Sequence, residues 1–139
     1  MAVLYKDADG CNTLKLIIPT LLIRVPVIER EKGTDGQEIV DAPFAAAMWH
    51  WNELTVIADH AGQEFKRLGR AKVGTVAWLG ETRYKCILTE IGWIQDKRLY
   101  RASGQYVHEA WTTGLCIYTC HGQKFGNIQP VRLTHWRET

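Results

Sequence analysis

The residue best placed for nucleophilic chemistry is Cys120, which ends the stretch Leu115–Cys120. Apolar and β-branched residues fill this stretch, Gly114 precedes it and a loop containing glycine follows, so a strand is predicted. Because side chains alternate across a strand, Cys116, Tyr118 and Cys120 share one face. Cys120 therefore ends a strand at the mouth of a loop, where a thiol is both held and reachable. The alternative is a small buried hydrophobic residue, the more common role of a free cysteine.

A histidine at a second strand end is the first candidate partner for this thiol. A cysteine becomes an effective nucleophile when a cation lowers its pKa or a base takes its proton. Of the five histidines, His60 follows the apolar run Leu54–Ala58 and precedes a turn that contains glycine. Two reactive residues at strand ends can converge at one rim of a barrel. The alternative is a structural or surface histidine.

Arg132 is the second candidate partner. It lies in the predicted last strand, Val131–Trp136, which would most simply pair antiparallel with the strand of Cys120 and bring Arg132 beside the thiol. A guanidinium held there could bind a substrate carbonyl or stabilise the oxyanion of a tetrahedral intermediate. The alternative is an exposed arginine on the outside of a barrel.

Length and composition restrict the class of protein. The 139 residues predict a single domain over 1–139, with 1–13 as a tail or a first short strand. Hydrophobic residues make up 46% of the chain and the net charge is only +2, so no nucleic-acid partner is expected. The four cysteines imply no disulfide framework. Proline and arginine interrupt the apolar stretches near the start, so neither a membrane segment nor a signal peptide is expected.

The remaining elements predict an all-β fold. Short helices are predicted at Phe44–Met48, after the N-cap Asp41, and at Gln63–Leu68, with Phe65 and Leu68 facing inward. Residues 94–113 form the longest candidate functional loop, with one short strand around Leu99–Tyr100 or Tyr106–His108. Many short strands without a βαβ alternation favour a closed or nearly closed barrel of about eight strands. The other predicted strands are Leu14–Ile18, Leu22–Ile28, Leu54–Ala58, Thr75–Leu79 and Arg83–Trp93, the last two joined by a tight turn at 80–82.

These segments together resemble the sortase family. The stretch Thr55–Gly62, followed by Phe65 and Leu68, is similar to the family's apolar strand that runs into a histidine and then a short helix. The stretch Leu115–Cys120 is similar to the family's Leu-x-Leu-x-Thr-Cys strand, and Arg132 stands where the family keeps its arginine. The likeness extends over roughly residues 14–136 because Ile18-Pro19 and Pro26-Val27 resemble the family's opening strands.

The resemblance implies an eight-stranded barrel with one or two short helices and roles for five residues. Cys120 would be the nucleophile, His60 the general acid and base, and Arg132 the substrate clamp and oxyanion stabiliser. Thr119 and Asp59 are predicted as substrate-binding residues. Thr119 would shape the oxyanion pocket, and Asp59 replaces the family's usual glycine, where a carboxylate would orient His60 or stabilise its charge.

The implied chemistry is transpeptidation without a cofactor. The thiolate would attack a Thr-Gly bond in an LPxTG-type sorting signal of a surface or pilin protein. An amine, from a cell-wall precursor or a pilin lysine, would then resolve the thioester. The resemblance would place the protein at the extracytoplasmic surface of a Gram-positive cell.

Two alternatives remain open from the sequence. A non-catalytic binding or assembly protein with the sortase fold is favoured by Asp59 and by the loop before the strand of Cys120, which is short compared with the family's. A metal-binding barrel would use Cys116, Cys120 and His121, although this cluster lacks the second ligand pair that is typical of zinc sites.

Overall fold

The computed structural model describes residues 4–6, 12–30, 45–60 and 64–139. Within these ranges the chain is mostly β-strand, and its helices are short. The helices are two 3₁₀ helices, Pro19–Leu21 and Glu64–Arg70, and the α-helix α1, Val107–Ala110. None of the helices in the described ranges has the length and apolar character needed to cross a bilayer. The strands are β1 Leu4–Lys6, β2 Asn12–Ile18, β3 Ile23–Glu29, β4 Ala46–Trp51, β5 Glu53–Asp59, β6 Val76–Leu79, β7 Thr82–Gln95, β8 Arg98–Tyr100, β9 Thr113–Cys120 and β10 Ile128–Glu138.

Eight of the described strands close into a barrel. Their order around the ring is β2-β3-β4-β5-β9-β10-β7-β6, and pairing of β6 with β2 completes the ring. The strands β1 and β8 lie outside the ring and pair with β2 and β7, respectively. Two neighbouring pairs are parallel, β3 with β4 and β5 with β9, whereas the others are antiparallel. The predicted all-β barrel of eight strands is confirmed.

The strands around β9 carry buried side chains on both faces. Leu115 and Ile117 belong to an inner cluster, which contains residues from all eight strands of the ring and fills the barrel. Cys116 and Tyr118 belong to an outer cluster on the opposite face, which Val107 of α1 helps to cover. The predicted alternation along this strand is therefore confirmed. Burial on both faces also explains why β9 reads as a nearly continuous apolar run.

The predicted helix at Phe44–Met48 is wrong over the part that the structure describes. Residues 46–51 form β4, which lies between β3 and β5, while positions 41–44 lie outside the described residues. Alanine and methionine favour a helix locally. Here Ala46 and Met48 pack in the inner cluster and Ala47 and Trp49 in the outer one, so pairing and burial on both faces override local propensity.

The other predicted elements are found with shifted boundaries. The predicted helix at Gln63–Leu68 is a 3₁₀ helix over Glu64–Arg70, so it ends two residues later than predicted, and Gln63 lies outside the described residues. Phe65 and Leu68 are fully buried, as predicted. In the long loop, the strand β8, Arg98–Tyr100, forms where one was predicted around Leu99–Tyr100, whereas Val107–Ala110 is helical. Cys86, Cys116 and Cys120 are free thiols, and Cys11 lies outside the described residues.

Candidate active site

The parallel pairing of β5 with β9 brings two of the predicted site residues to one rim of the barrel. The last pair of this ladder joins Asp59 to Thr119. The next residues are His60, which follows β5, and Cys120, which ends β9. Because adjacent strands lie about 4.8 Å apart, the backbones of His60 and Cys120 lie next to each other at this end of the two strands. The sequence alone did not reveal this pairing, since the two segments lie sixty residues apart.

The pairing register places the other predicted site residues on the opposite face. Arg132 of β10 pairs with Thr119, which pairs with Asp59, so these three residues form one row across the sheet. The row shares its face with Ile117 and Leu115 of the inner cluster. Cys120 pairs instead with Val131, which lies in the outer cluster. The predicted antiparallel pairing of the last strand with β9 is confirmed, and it places Arg132 one residue from the position opposite the thiol.

Cys120 is the exposed thiol among the described cysteines. Its surroundings still exclude enough water that burial raises the pKa of the Cys120 thiol above its ordinary value. No cation among the described residues counteracts this effect by lowering the pKa. The resting side chain is therefore a neutral thiol at neutral pH, and a nucleophilic attack by its sulfur requires a base to remove the proton.

His60 is half-buried and its backbone is anchored by the carboxylate that precedes it. The backbone N–H of His60 donates a hydrogen bond of 2.8 Å to Oδ1 of Asp59. The side chain of Asp59 is itself buried, with 8% of its surface exposed. This hydrogen bond of Asp59 is made to the backbone of His60, whereas the sequence suggested that the carboxylate would orient the imidazole or stabilise its charge.

Thr119 is buried and joins the two strands. Its hydroxyl donates a hydrogen bond of 2.8 Å to the backbone carbonyl of Asp59. Only 3% of its surface is exposed. A hydrogen bond therefore joins Thr119, which precedes Cys120, to Asp59, which precedes His60.

Arg132 lies against the 3₁₀ helix Glu64–Arg70. A Cβ placed on Gly69 would lie 4.0 Å from Nε of Arg132, an ordinary contact distance, so the guanidinium lies beside Gly69. Nη1 donates a long hydrogen bond of 3.4 Å to Oγ1 of Thr89. Nε is buried and has no hydrogen-bond partner among the described residues. One donor of the guanidinium is therefore uncommitted.

The sequence did not single out His108, which is buried against the rings of Trp51 and Tyr106. Its ring centre lies 4.0 Å from that of Trp51 in an edge-to-face arrangement. Neither ring nitrogen has a hydrogen-bond partner among the described residues, and burial lowers the pKa of His108 to about 4. Trp51 ends β4 just before β5 begins, so His108 lies at the end of β5 remote from His60. Nothing in the sequence around Val107–Ala110 signals this burial.

The described residues contain no group of three or more His, Cys, Asp or Glu side chains placed to hold a metal ion. The cluster proposed from the sequence, Cys116, Cys120 and His121, does not form such a group. Cys116 is fully buried, whereas Cys120 and His121 are exposed.

Comparison with solved structures identifies the fold as that of the sortases. Sortase A from Listeria monocytogenes superposes with a TM-score of 0.57 at 13% identity, over 91% of this chain and 90% of that one. Sortase E1 from Streptomyces coelicolor, solved with a tripeptide in its active site, gives 0.57 at 14% identity, over 91% and 88%. Sortase C from Clostridium perfringens gives 0.53 at 14% identity, over 90% and 69%. No protein-family model and no curated protein sequence matches the chain.

Proposed function

We propose that this protein is a sortase-like cysteine transpeptidase with Cys120 as its nucleophile. The observation that carries the proposal is the parallel pairing of β5 with β9, whose last pair, Asp59 with Thr119, directly precedes His60 and the exposed Cys120. The sortase fold of the barrel supports the same conclusion. A thiol at a rigid strand end, with a histidine directly after the neighbouring strand, has the residue types that acyl transfer needs.

The reaction would begin from the neutral thiol. As the sulfur attacks the carbonyl carbon of the scissile peptide bond, His60 takes the thiol proton. The tetrahedral intermediate collapses to a thioester when His60 passes this proton to the departing amine. In the second half, His60 removes a proton from the acceptor amine, which attacks the thioester and releases Cys120 as a thiol. Protons balance over the two halves, and no cofactor is required.

Arg132 is the third member of the proposed site. Arg132 is only partly buried, although its Nε is covered, and a guanidinium is suited to holding a carbonyl oxygen of the substrate or its oxyanion. By resemblance, the substrate would be an LPxTG-type sorting signal of a surface or pilin protein. The acceptor would be an amine of a cell-wall precursor or a pilin lysine, and the reaction would then take place at the extracytoplasmic cell surface.

A second candidate function is a non-catalytic binding or assembly protein on the same fold. The observation that favours it is the raised pKa of the Cys120 thiol, since an activated cysteine more often has a lowered pKa. Such a protein would bind a peptide at the rim without forming a covalent bond to it.

Mass spectrometry after incubation with a library of sorting-signal peptides separates these candidates. The transpeptidase predicts a thioester on Cys120, formed by the wild type and by the control Cys116→Ala, and released when an amine is added. Cys120→Ala should form no thioester, and His60→Ala should form it about 10²–10⁴-fold more slowly. Peptides that bind without any adduct would instead support the binding protein.

A further inference from the structure

Two hydrogen bonds connect the residues that precede the proposed nucleophile and base. The hydroxyl of Thr119 donates to the carbonyl of Asp59, and the backbone N–H of His60 donates to Oδ1 of Asp59, each at 2.8 Å. Thr119 and Asp59 are both buried. The two bonds form a continuous link from the strand of Cys120, through Asp59, to the backbone of His60.

This link lies where the pairing of β5 with β9 ends. The ladder between β5 and β9 ends at the pair Asp59 and Thr119, and His60 lies beyond the last residue of β5. Without another restraint, the backbone of His60 would be free to move relative to Cys120. The carboxylate of Asp59 supplies that restraint on His60, and the hydroxyl of Thr119 fixes Asp59 to β9.

The donor count argues against a direct role of Thr119 at the oxyanion. A threonine hydroxyl has a single proton to donate, and the proton of Thr119 is directed at the carbonyl of Asp59. It therefore cannot donate to a substrate oxyanion at the same time. An ionised Asp59 offers only acceptors, so it would repel an oxyanion rather than bind one.

We propose that Thr119 and Asp59 are positioning residues that set the distance between His60 and Cys120, an inference that rests on the proposed function. The hydroxyl of Thr119 acts through the backbone of Asp59, and the carboxylate of Asp59 acts through the backbone N–H of His60. Neither residue contacts the substrate. A change of about 1 Å in the separation of reacting groups can cost about 10²-fold in rate.

Paired substitutions at each position provide the test. Thr119→Val removes the hydroxyl at nearly constant volume, whereas Thr119→Ser keeps it. Asp59→Ala removes the acceptor of the His60 N–H, whereas Asp59→Asn keeps an oxygen acceptor without the charge. We expect Thr119→Val and Asp59→Ala to lower kcat for thioester formation by about 10–10²-fold with KM within about twofold. Thr119→Ser and Asp59→Asn should stay within about threefold of the wild type.

Three results would overturn the proposal. A rise in KM with kcat unchanged would make these residues substrate contacts. Equal losses in Thr119→Val and Thr119→Ser would show that the hydroxyl is not the group that matters. A loss in Asp59→Asn as large as in Asp59→Ala would assign the effect to charge on the imidazole rather than to the backbone hydrogen bond.

A readout that does not depend on turnover separates this inference from the proposed function. Amide hydrogen exchange of His60 should become at least tenfold faster in Asp59→Ala and in Thr119→Val than in Asp59→Asn or Thr119→Ser. If the wild type forms no thioester but the amide shows this pattern, the proposed function fails while the positioning link stands. If the wild type turns over and the amide exchange is unchanged, the link fails and the function stands.

Discussion

Cys116 and Cys120 lie on one strand and one face, four residues apart, yet their surroundings are opposite. Cys116 is 0% exposed and packs in the outer cluster, whereas Cys120 ends β9 and is exposed. Burial raises the pKa of both thiols, and it does so further for Cys116. Residue type and face are shared, so position along the strand alone decides which thiol a substrate can reach.

The same contrast separates the neighbours of the two cysteines. Cys116 pairs with Val56 and His135 within the sheet, so strands flank it on both sides. Cys120 has Val131 on one side and the end of the β5 ladder on the other. A cysteine in the middle of the strand serves packing, and a cysteine at its end is available for chemistry.

The largest effect expected from this contrast is selective alkylation of the folded protein. Iodoacetamide should modify Cys120 about 10³-fold or more faster than Cys116, because Cys116 reacts only after an opening that costs several kcal/mol. Because thiolate is the reactive form and burial raises the pKa of Cys120, the rate should keep rising with pH above about 8.5, the ordinary thiol value. Peptide mapping by mass spectrometry measures both sites.

Unfolded protein is the control, where the two cysteines should react at similar rates. Equal reactivity of Cys116, Cys86 and Cys120 in the folded protein would contradict the conclusion that Cys120 is more accessible than the other two. A rate that levels off near neutral pH would show that a cation lowers the pKa of Cys120 after all.

The next prediction tests whether Arg132 acts on the substrate together with Cys120 or only packs on the inner face of the barrel. Arg132→Lys keeps the charge but removes the planar fork, so we expect thioester formation to fall by about 10²–10³-fold if the guanidinium holds the reacting carbonyl. Steady-state kinetics with the peptide that gives the adduct measures the loss, and a thermal melt checks the fold.

Arg67→Lys is the matched control. Nε and Nη2 of Arg67 donate to the backbone carbonyls of Leu21 and Leu22, where the 3₁₀ turn Pro19–Leu21 ends, so this substitution should change stability modestly and leave turnover unchanged. Full activity in Arg132→Lys, with a melting temperature lowered as in Arg67→Lys, would restrict Arg132 to packing against the helix beside Gly69.

The all-β class, the barrel and the strand of Cys120 could be predicted because they depend on local signals. Alternation and β-branched residues mark β5, β9 and β10, and glycine marks the turn between β6 and β7. The strand β4 was missed because Ala46–Met48 carries a helical preference, which the pairing with β3 and β5 overrides.

The site was less predictable than the fold because it depends on pairings between distant segments. Local periodicity does not specify that β5 and β9 run parallel or that Asp59 meets Thr119. A register shift of one residue would transfer Arg132 to the face of Cys120, and no local feature of β10 fixes that register. The hydrogen bonds of Thr119 and Asp59 follow from the same pairing, so residue types could suggest these positions but not their roles.

The smallest expected effect is on the free energy of unfolding when each of the two cysteines is replaced by serine. Cys116→Ser places a hydroxyl at a fully buried position and should lower the free energy of unfolding by about 1–3 kcal/mol, measured by urea denaturation. Cys120→Ser changes an exposed strand end and should stay within about 0.5 kcal/mol. Activity should show the reverse order, with thioester formation retained in Cys116→Ser and lost in Cys120→Ser. If both substitutions lower stability equally, Cys120 is packed like Cys116, and an attack on a bound peptide by its sulfur would first require the rim to open.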